Sequence, residues 1–272
     1  MLLSGGVLLV IVIIVLSLSV AADKLIQYIP FETELSLVRT VDIDTPAVST
    51  GITPDYLQAL ADDLSQQMNL PEGMVISISI VNSETVNAFA TLGGNIVFFT
   101  GLLDIIPDEN TLAMVMAHEI AHIKLRHPLR ALGRGVVVGV AIATVAGVAG
   151  NDIVAKLVGD TSLLTTLNFS RDQESAADSL AVAALAKHYG HINGASQLFD
   201  VLHQGHEEGS YSTPEFLTTH PLNKNRTTAL KVLAQQNGWP VNGNVSAIPE
   251  RVRNDIKGLL TKLTTKNTDS KP

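Results

Sequence analysis

His118, Glu119 and His122 stand in the run His118-Glu119-Ile120-Ala121-His122, in which a carboxylate lies between two imidazoles four residues apart. On a helix turning about 100° per residue, positions i and i+4 share a face. Both rings can therefore meet one zinc ion at Zn–N distances of about 2.0 to 2.1 Å. Glu119 sits one position further round, displaced from easy ligation but able to hold a water at the metal and act as its base. That is the equipment of a hydrolase. A hydrogen-bonded pair of core histidines beside a paired glutamate would show the same letters, so the surrounding sequence has to decide.

A tetrahedral hydrolytic site needs a third protein ligand and one position kept for water. Downstream, in Ser170-Arg171-Asp172-Gln173-Glu174-Ser175-Ala176-Ala177-Asp178, Glu174 and Asp178 are again four apart, and Ala181 and Leu185 continue their face. Glu174 can coordinate the ion. Asp178 can accept a hydrogen bond from the far ring nitrogen of a metal-bound histidine and so fix its tautomer. Taken alone, such a pair is usually a solvated acidic face; next to the upstream run it reads as the second half of a metal site. The chain has no cysteine, so one Zn2+ per chain would be held by nitrogen and oxygen alone.

The elements that must position these residues are legible in outline. Pro107-Asp108-Glu109-Asn110 carries helix-start signals, and Thr111 to His127 then runs without Gly or Pro until Pro128. This predicts a helix stopped by Pro128. It is nearly apolar all round, which predicts burial on most sides. Ala176, Ala177, Ala181, Ala183 and Ala184 leave the second helix slim enough to approach the first closely. Upstream, Thr53-Pro54 reads as the cap of a helix running to about Asn69, and Met74 to Val81 alternates as a strand. Thr85 to Leu92 and Asn95 to Thr100 flank Gly93-Gly94 as a hairpin, giving a small sheet ahead of the metal helix. The chain reads helical from about Asn193, with a disordered polar tail after Lys262.

Several blocks together carry a family resemblance: Asn87-Ala88-Phe89-Ala90, Gly93-Gly94, Thr100-Gly101-Leu102-Leu103, His118 to His127, Glu174 to Asp178, and His220-Pro221 with Arg226. They resemble the membrane-associated zinc metallopeptidases of the HtpX and CAAX prenyl endopeptidase family, including its BepA-like bacterial members. The similarity runs over roughly residues 28 to 235. It implies an α+β, mainly helical, zincin-like domain with a small β-sheet behind an N-terminal transmembrane helix. It also implies zinc ligation by His118, His122 and Glu174, general-base catalysis by Glu119, and support from Asp178. His220 and Arg226 would stabilise the transition state, or cover the zinc as a fourth group in a resting form. Without the resemblance they would pass for a loop histidine and a surface arginine. His127, on the side of the helix away from the metal face, reads as structural, and His188, His191, His203 and His206 as surface or cap residues.

The chain is 272 residues long, 46% hydrophobic, with a net charge of −8, enough for one sizeable catalytic core and, lacking a basic patch, no fit to nucleic acid. Leu2 to Ala22 holds no charge and gives about 30 Å of helix, enough to cross a bilayer. It is expected to be an anchor; cleavage at Ser19-Val20-Ala21-Ala22 would make it a signal peptide instead. Residues 1–22 are thus the anchor, 23–52 a juxtamembrane linker, 53–240 the peptidase domain and 241–272 a C-terminal helix and tail. A second apolar stretch, Gly135 to Gly150, is short for a span and is expected to form a hairpin packed on the core or dipping into the membrane surface. The expected partners are flexible or unfolded polypeptides, cleaved outside the cytoplasm in quality control of misfolded envelope or membrane proteins. The competing expectations are a zinc-containing adaptor that binds unfolded proteins without cleaving them, and a structural membrane protein with a fortuitous motif.

Overall fold

The computed structural model describes residues 2–40, 47–146, 169–207, 215–220 and 224–269. They fall into two compact units, one within Met1–Asp44 and Arg126–Leu167, the other within Thr45–Leu125 and Asn168–Pro272. The chain is mainly helical with one small mixed sheet, as the sequence led us to expect.

In the first unit, helix α1 (Leu2–Leu25) leads through a short 3-10 turn (Ile26–Tyr28) to α2 (Phe31–Thr40), and α6 (His127–Ala146) packs beside α1. The segment Leu9–Tyr28 is long and apolar enough to cross a membrane, by length and composition. Arg126 ties the unit together. Its Nε lies 2.8 Å from Glu34 Oε2, its Nη1 donates to the Ile29 carbonyl at 3.1 Å, and its guanidinium stands 5.6 Å from the Phe31 ring centre. The expected hairpin over Gly135 to Gly150 is helix as far as Ala146; residues 147–168 lie outside the described residues.

In the second unit the sheet runs in the order β1 (Ala47–Val48), β2 (Ser77–Val81), β4 (Asn95–Phe99), β3 (Ala88–Ala90). β3 and β4 form the expected antiparallel hairpin around Gly93-Gly94, with Phe89 opposite Val97. β2 joins β4 in parallel, Ile78 opposite Ile96 and Ile80 opposite Phe98, and these four side chains are buried. The strands are shorter than the alternation suggested, and the two-residue β1 edge carries no pattern long enough to read.

Helix α5 (Glu109–Lys124) runs through the middle of this unit, with every residue from Asn110 to Ile123 buried. Asp108 caps it, accepting from the Thr111 amide at 2.8 Å, and the Glu109 carboxylate accepts from the hydroxyls of Tyr56 (2.8 Å) and Tyr189 (3.1 Å). The predicted stop at Pro128 is corrected. The helix ends at Lys124, Arg126 adopts φ +58°, and Pro128 lies in the first turn of α6, where its missing N–H costs nothing. Thr53 is a second correction: it lies inside the first turn of α3 (Ile52–Met68), whose N-cap residue is Gly51. Asp255, from far along the chain, closes that helix end instead, accepting from the Thr53 amide (3.1 Å) and hydroxyl (2.6 Å).

After α4 (Thr100–Ile105) and α5, the unit continues with α7 (Arg171–Tyr189), α8 (Gln197–Glu207), α9 (Glu215–Thr219), α10 (Lys224–Asn237) and α11 (Glu250–Asp269). The tail expected to be disordered after Lys262 is helical to Asp269. Val252 and Ile256 are buried, and once a helix is nucleated each further residue needs only one hydrogen bond to join it. His191, expected at the surface, is buried; its Nδ1 accepts from the Asn193 amide at 3.1 Å, and its Nε2 lies 3.0 Å from the Asn244 carbonyl.

Gly194 is fixed twice over, by φ +101° and by the start of α5, where an added Cβ would fall 2.8 Å from the Asn110 carbonyl carbon. Gly194→Ala is expected to cost about 1–3 kcal/mol. A lowered urea midpoint with unchanged m would show this; an unchanged midpoint would count against it.

Candidate metal centre

Two helices build the centre. α5 presents His118, Glu119 and His122 from its buried middle, and α7 presents Glu174 and Asp178 from its first two turns. Ser170 starts α7 with a full capping box: its hydroxyl accepts from the Gln173 amide and the Gln173 side chain accepts from the Ser170 amide. α5 and α7 pack closely, with Ala113, Ala117 and Ala121 on one helix and Ala177, Ala181 and Ala184 on the other all buried. A third contribution comes from the end of α9, where the His220 amide donates to the Phe216 carbonyl at 2.9 Å and the His220 ring is fully buried.

Donor atoms of four residues converge. His118 Nε2 lies 3.0 Å from His122 Nε2, 3.2 Å from His220 Nδ1 and 3.4 Å from Glu174 Oε2. Glu174 Oε1 lies 3.1 Å from His220 Nδ1 and 3.4 Å from His122 Nε2. One atom from each of the four residues lies within 4.8 Å of the others, close enough for a single zinc with bonds of about 2.0 to 2.1 Å. His118 Nε2 makes two such contacts at once, with His122 Nε2 and His220 Nδ1, and a single ring proton can serve only one of them.

Supporting contacts hold this set. His118 Nδ1 is 3.0 Å from Asp178 Oδ1, so its proton belongs on that side and its Nε2 lone pair faces the centre. Arg226, from α10, donates to both Asp178 oxygens at 2.7 Å and reaches Glu174 Oε2 at 3.0 Å. Phe169 stacks on the His122 ring with centroids 4.1 Å apart. Glu119 is fully buried; its Oε2 accepts from the Ala90 amide of β3 at 2.8 Å, and its Oε1 faces His220 Nε2 at 3.4 Å.

Burial and charge pull these groups apart. Burial raises the Glu119 pKa, against the opposing pull of His220 and His118. Burial would also raise Asp178, but hydrogen bonds from His118 and Arg226 outweigh it and bring it to about 2. Glu174 is held well below the carboxylate range, its burial outweighed by the three histidines. Burial drives His122 well below its usual value, whereas in His118 burial is outweighed by Asp178 and Glu174, which carry it to about 10. Three imidazoles and two carboxylates packed together in this way form a cluster suited to a cation.

Residues 52–234 match peptidase family M48. The chain belongs to that family. M48 metallopeptidases are zinc-dependent, and His118, His122, Glu174 and His220 are the group able to hold the ion among the described residues. The chain is 27% identical over 211 residues to the beta-barrel assembly-enhancing protease of Escherichia coli (strain K12), covering 73% of this chain and 42% of that protein. It is 32% identical over 167 residues to the mitochondrial metalloendopeptidase OMA1 of Arabidopsis thaliana, covering 61% of this chain and 32% of that one. The metalloprotease LoiP of Escherichia coli (strain K12) is 27% identical over 194 residues, covering 70% of this chain and 75% of LoiP. The chain thus spans under half the length of the beta-barrel assembly-enhancing protease it matches.

All seven residues singled out in the sequence, His118, Glu119, His122, Glu174, Asp178, His220 and Arg226, come together here. His220 stands among the donor atoms, while Arg226 faces the carboxylates of Asp178 and Glu174. His127 is buried in α6, His188 is half-buried against Tyr189, and the side chains of His203 and His206 lie outside the described residues. Sequence reasoning missed Phe169 and the role of the Ala90 amide. Ala90 lies in a recognised block, but nothing in a side-chain type marks a backbone donor.

Proposed function

We propose that this protein is a membrane-anchored zinc metalloendopeptidase that hydrolyses peptide bonds in flexible or unfolded polypeptides. The observation that carries it is the convergence of the His118, His122, Glu174 and His220 donors within 4.8 Å of one another, with the Glu119 carboxylate held beside them by the Ala90 amide. In this reading His118, His122 and Glu174 are the permanent ligands. Asp178 orients His118, and Arg226 is a positioning residue that keeps Glu174 and Asp178 ionised and in place. When bound, zinc supplies Lewis acidity to the scissile carbonyl and to the attacking water.

The chain's own residues do the rest. Glu119 is anchored through Oε2, which leaves Oε1 to take the proton of the attacking water and pass it to the leaving amine. Its raised pKa suits both halves of that transfer. A hydrolytic site needs one position kept for water; the His220 ring would be a fourth ligand beside His118, His122 and Glu174, and substrate binding would then require it to withdraw. Phe216 packs on the His220 ring, and its amide donates to the Val86 carbonyl just ahead of β3, so pressure on this segment reaches His220. β3 is an edge strand, and a polypeptide added along it would pass Glu119.

The apolar α1 supports anchoring, and the name of the Escherichia coli relative, a protease that enhances beta-barrel assembly, supports work on envelope proteins; we place the catalytic domain on the outer side of a bacterial inner membrane. The His220 ring beside the other donors, at 3.2 Å from His118 and 3.1 Å from Glu174, is the one observation favouring a zinc-holding adaptor that does not cleave. Metal analysis with casein cleavage separates the two. We expect one zinc per chain, loss of cleavage with 1,10-phenanthroline and recovery on adding zinc; full cleavage by metal-free protein would sink the proposal.

A further inference from the structure

We propose that α6 enters the same bilayer as α1, so that two helices rather than a single tether hold this protein in the membrane. The proposal rests on the anchoring of α1 and goes beyond it. The two helices run antiparallel with a defined register: Gly133 lies against Ile26, and Arg134 Nη1 contacts both Asp23 oxygens, at 3.0 and 3.1 Å. Beyond that ion pair, α6 runs back along α1 toward residues that carry no charge. Ile11, Leu18 and Ala22 of α1 face Val136, Val140 and Ala141 of α6 across a groove of about 570 Å3 lined by apolar side chains alone.

Charge and exposure place the boundary. The charged residues of these helices, Asp23 and Lys24 on α1 and Arg130 and Arg134 on α6, gather at one end, and neither Leu2 to Ala22 nor Gly135 to Ala146 carries any. No residue from Ala131 to Ala141 is buried, and Val138 is 43% exposed. An apolar helix open to solvent on its outer face, packed on another whose Leu9, Ile13 and Leu16 are over half exposed, presents one continuous apolar surface. A lipid core fits that surface, and acyl chains fill the groove. With Asp23 and Arg134 paired at the water boundary, Gly135 to Ala146 reaches about 18 Å inward at 1.5 Å per residue, past the middle of a core about 30 Å thick. The ion pair neutralises two charges that would otherwise resist that depth.

The chain has no cysteine, so single cysteines report cleanly. The full chain carrying Ile13→Cys, Val138→Cys or, as an aqueous reference, Val232→Cys would be reconstituted in phosphatidylcholine–phosphatidylglycerol vesicles. We expect a fluorophore at 138 to be quenched by chain-brominated lipid nearly as strongly as one at 13, and at least fivefold more than one at 232. An impermeant maleimide should react with Val138→Cys at least tenfold more slowly than with Val232→Cys. Quenching at 13 but none at 138, with fast labelling at 138, overturns the proposal and leaves the α1 anchor standing. Absence of quenching at both positions overturns the anchor itself. Slow labelling at 138 without quenching means that protein, such as a second copy of the chain, covers α6, and it also overturns the lipid assignment.

Discussion

Glu119→Gln is expected to bind one zinc per chain as the wild type does while losing roughly 10² to 10⁴-fold in kcat for peptide cleavage. The substitution preserves shape, and the amide oxygen can still accept from the Ala90 N–H that holds Glu119 Oε2 at 2.8 Å. It removes only the ability to take and return a proton. The donor set does not include Glu119, so metal content should not change. KM should stay near its wild-type value, because the lost interaction belongs to the transition state. Cleavage within tenfold of wild type would remove Glu119 from its role as base, and loss of zinc would make it a ligand instead.

Arg226→Leu is expected to destabilise the chelated protein by about 3–5 kcal/mol, because it strips the cation from two buried carboxylates. Asp178 receives two hydrogen bonds of 2.7 Å from the guanidinium, and Glu174 lies 3.0 Å from it. Both carboxylates are buried, Glu174 4% and Asp178 5% exposed. Arg226→Lys keeps the charge but not the two-pronged geometry, so it should recover part of the loss. Urea unfolding in a chelator reads both variants, and a change below about 0.5 kcal/mol in Arg226→Leu would show that the pair carries no structural weight. If Arg226 only positions Glu174 and Asp178, Arg226→Lys should also retain most of its kcat, whereas direct contact with the reacting groups would cost activity even in a stable variant.

These two residues also show where the sequence was legible. Glu119 could be placed from letters alone, because the helical period of α5 fixes its angle relative to His118 and His122. Glu174 and Asp178 followed from the same period in α7, and the small residues between the helices foretold their close approach. Arg226 could be singled out only by resemblance, and its partners could not be derived. Its contact with Asp178 joins residues 48 apart in the chain, and no local pattern encodes a distance of that kind. The cap that Asp255 provides to α3 was hidden for the same reason: the donor and acceptor are 202 residues apart. Pro128 misled because a proline ends one helix and begins another equally well, and the positive φ of Arg126 that decides between them has no side-chain signature.

The sequence by itself determined the two helices of the metal centre, the hairpin at Gly93-Gly94, an apolar first segment of membrane-crossing length, and which two stretches carry zinc-binding chemistry. Periodicity, caps and side-chain type are local properties, and they survive in the linear chain. Only the tertiary structure decided that His220 stands against His118, that Arg226 faces carboxylates, that the Ala90 amide holds Glu119, and that α6 lies along α1 with Arg134 on Asp23. Each of these is a meeting of segments distant in sequence, set by how buried surfaces pack rather than by any one segment's own preference.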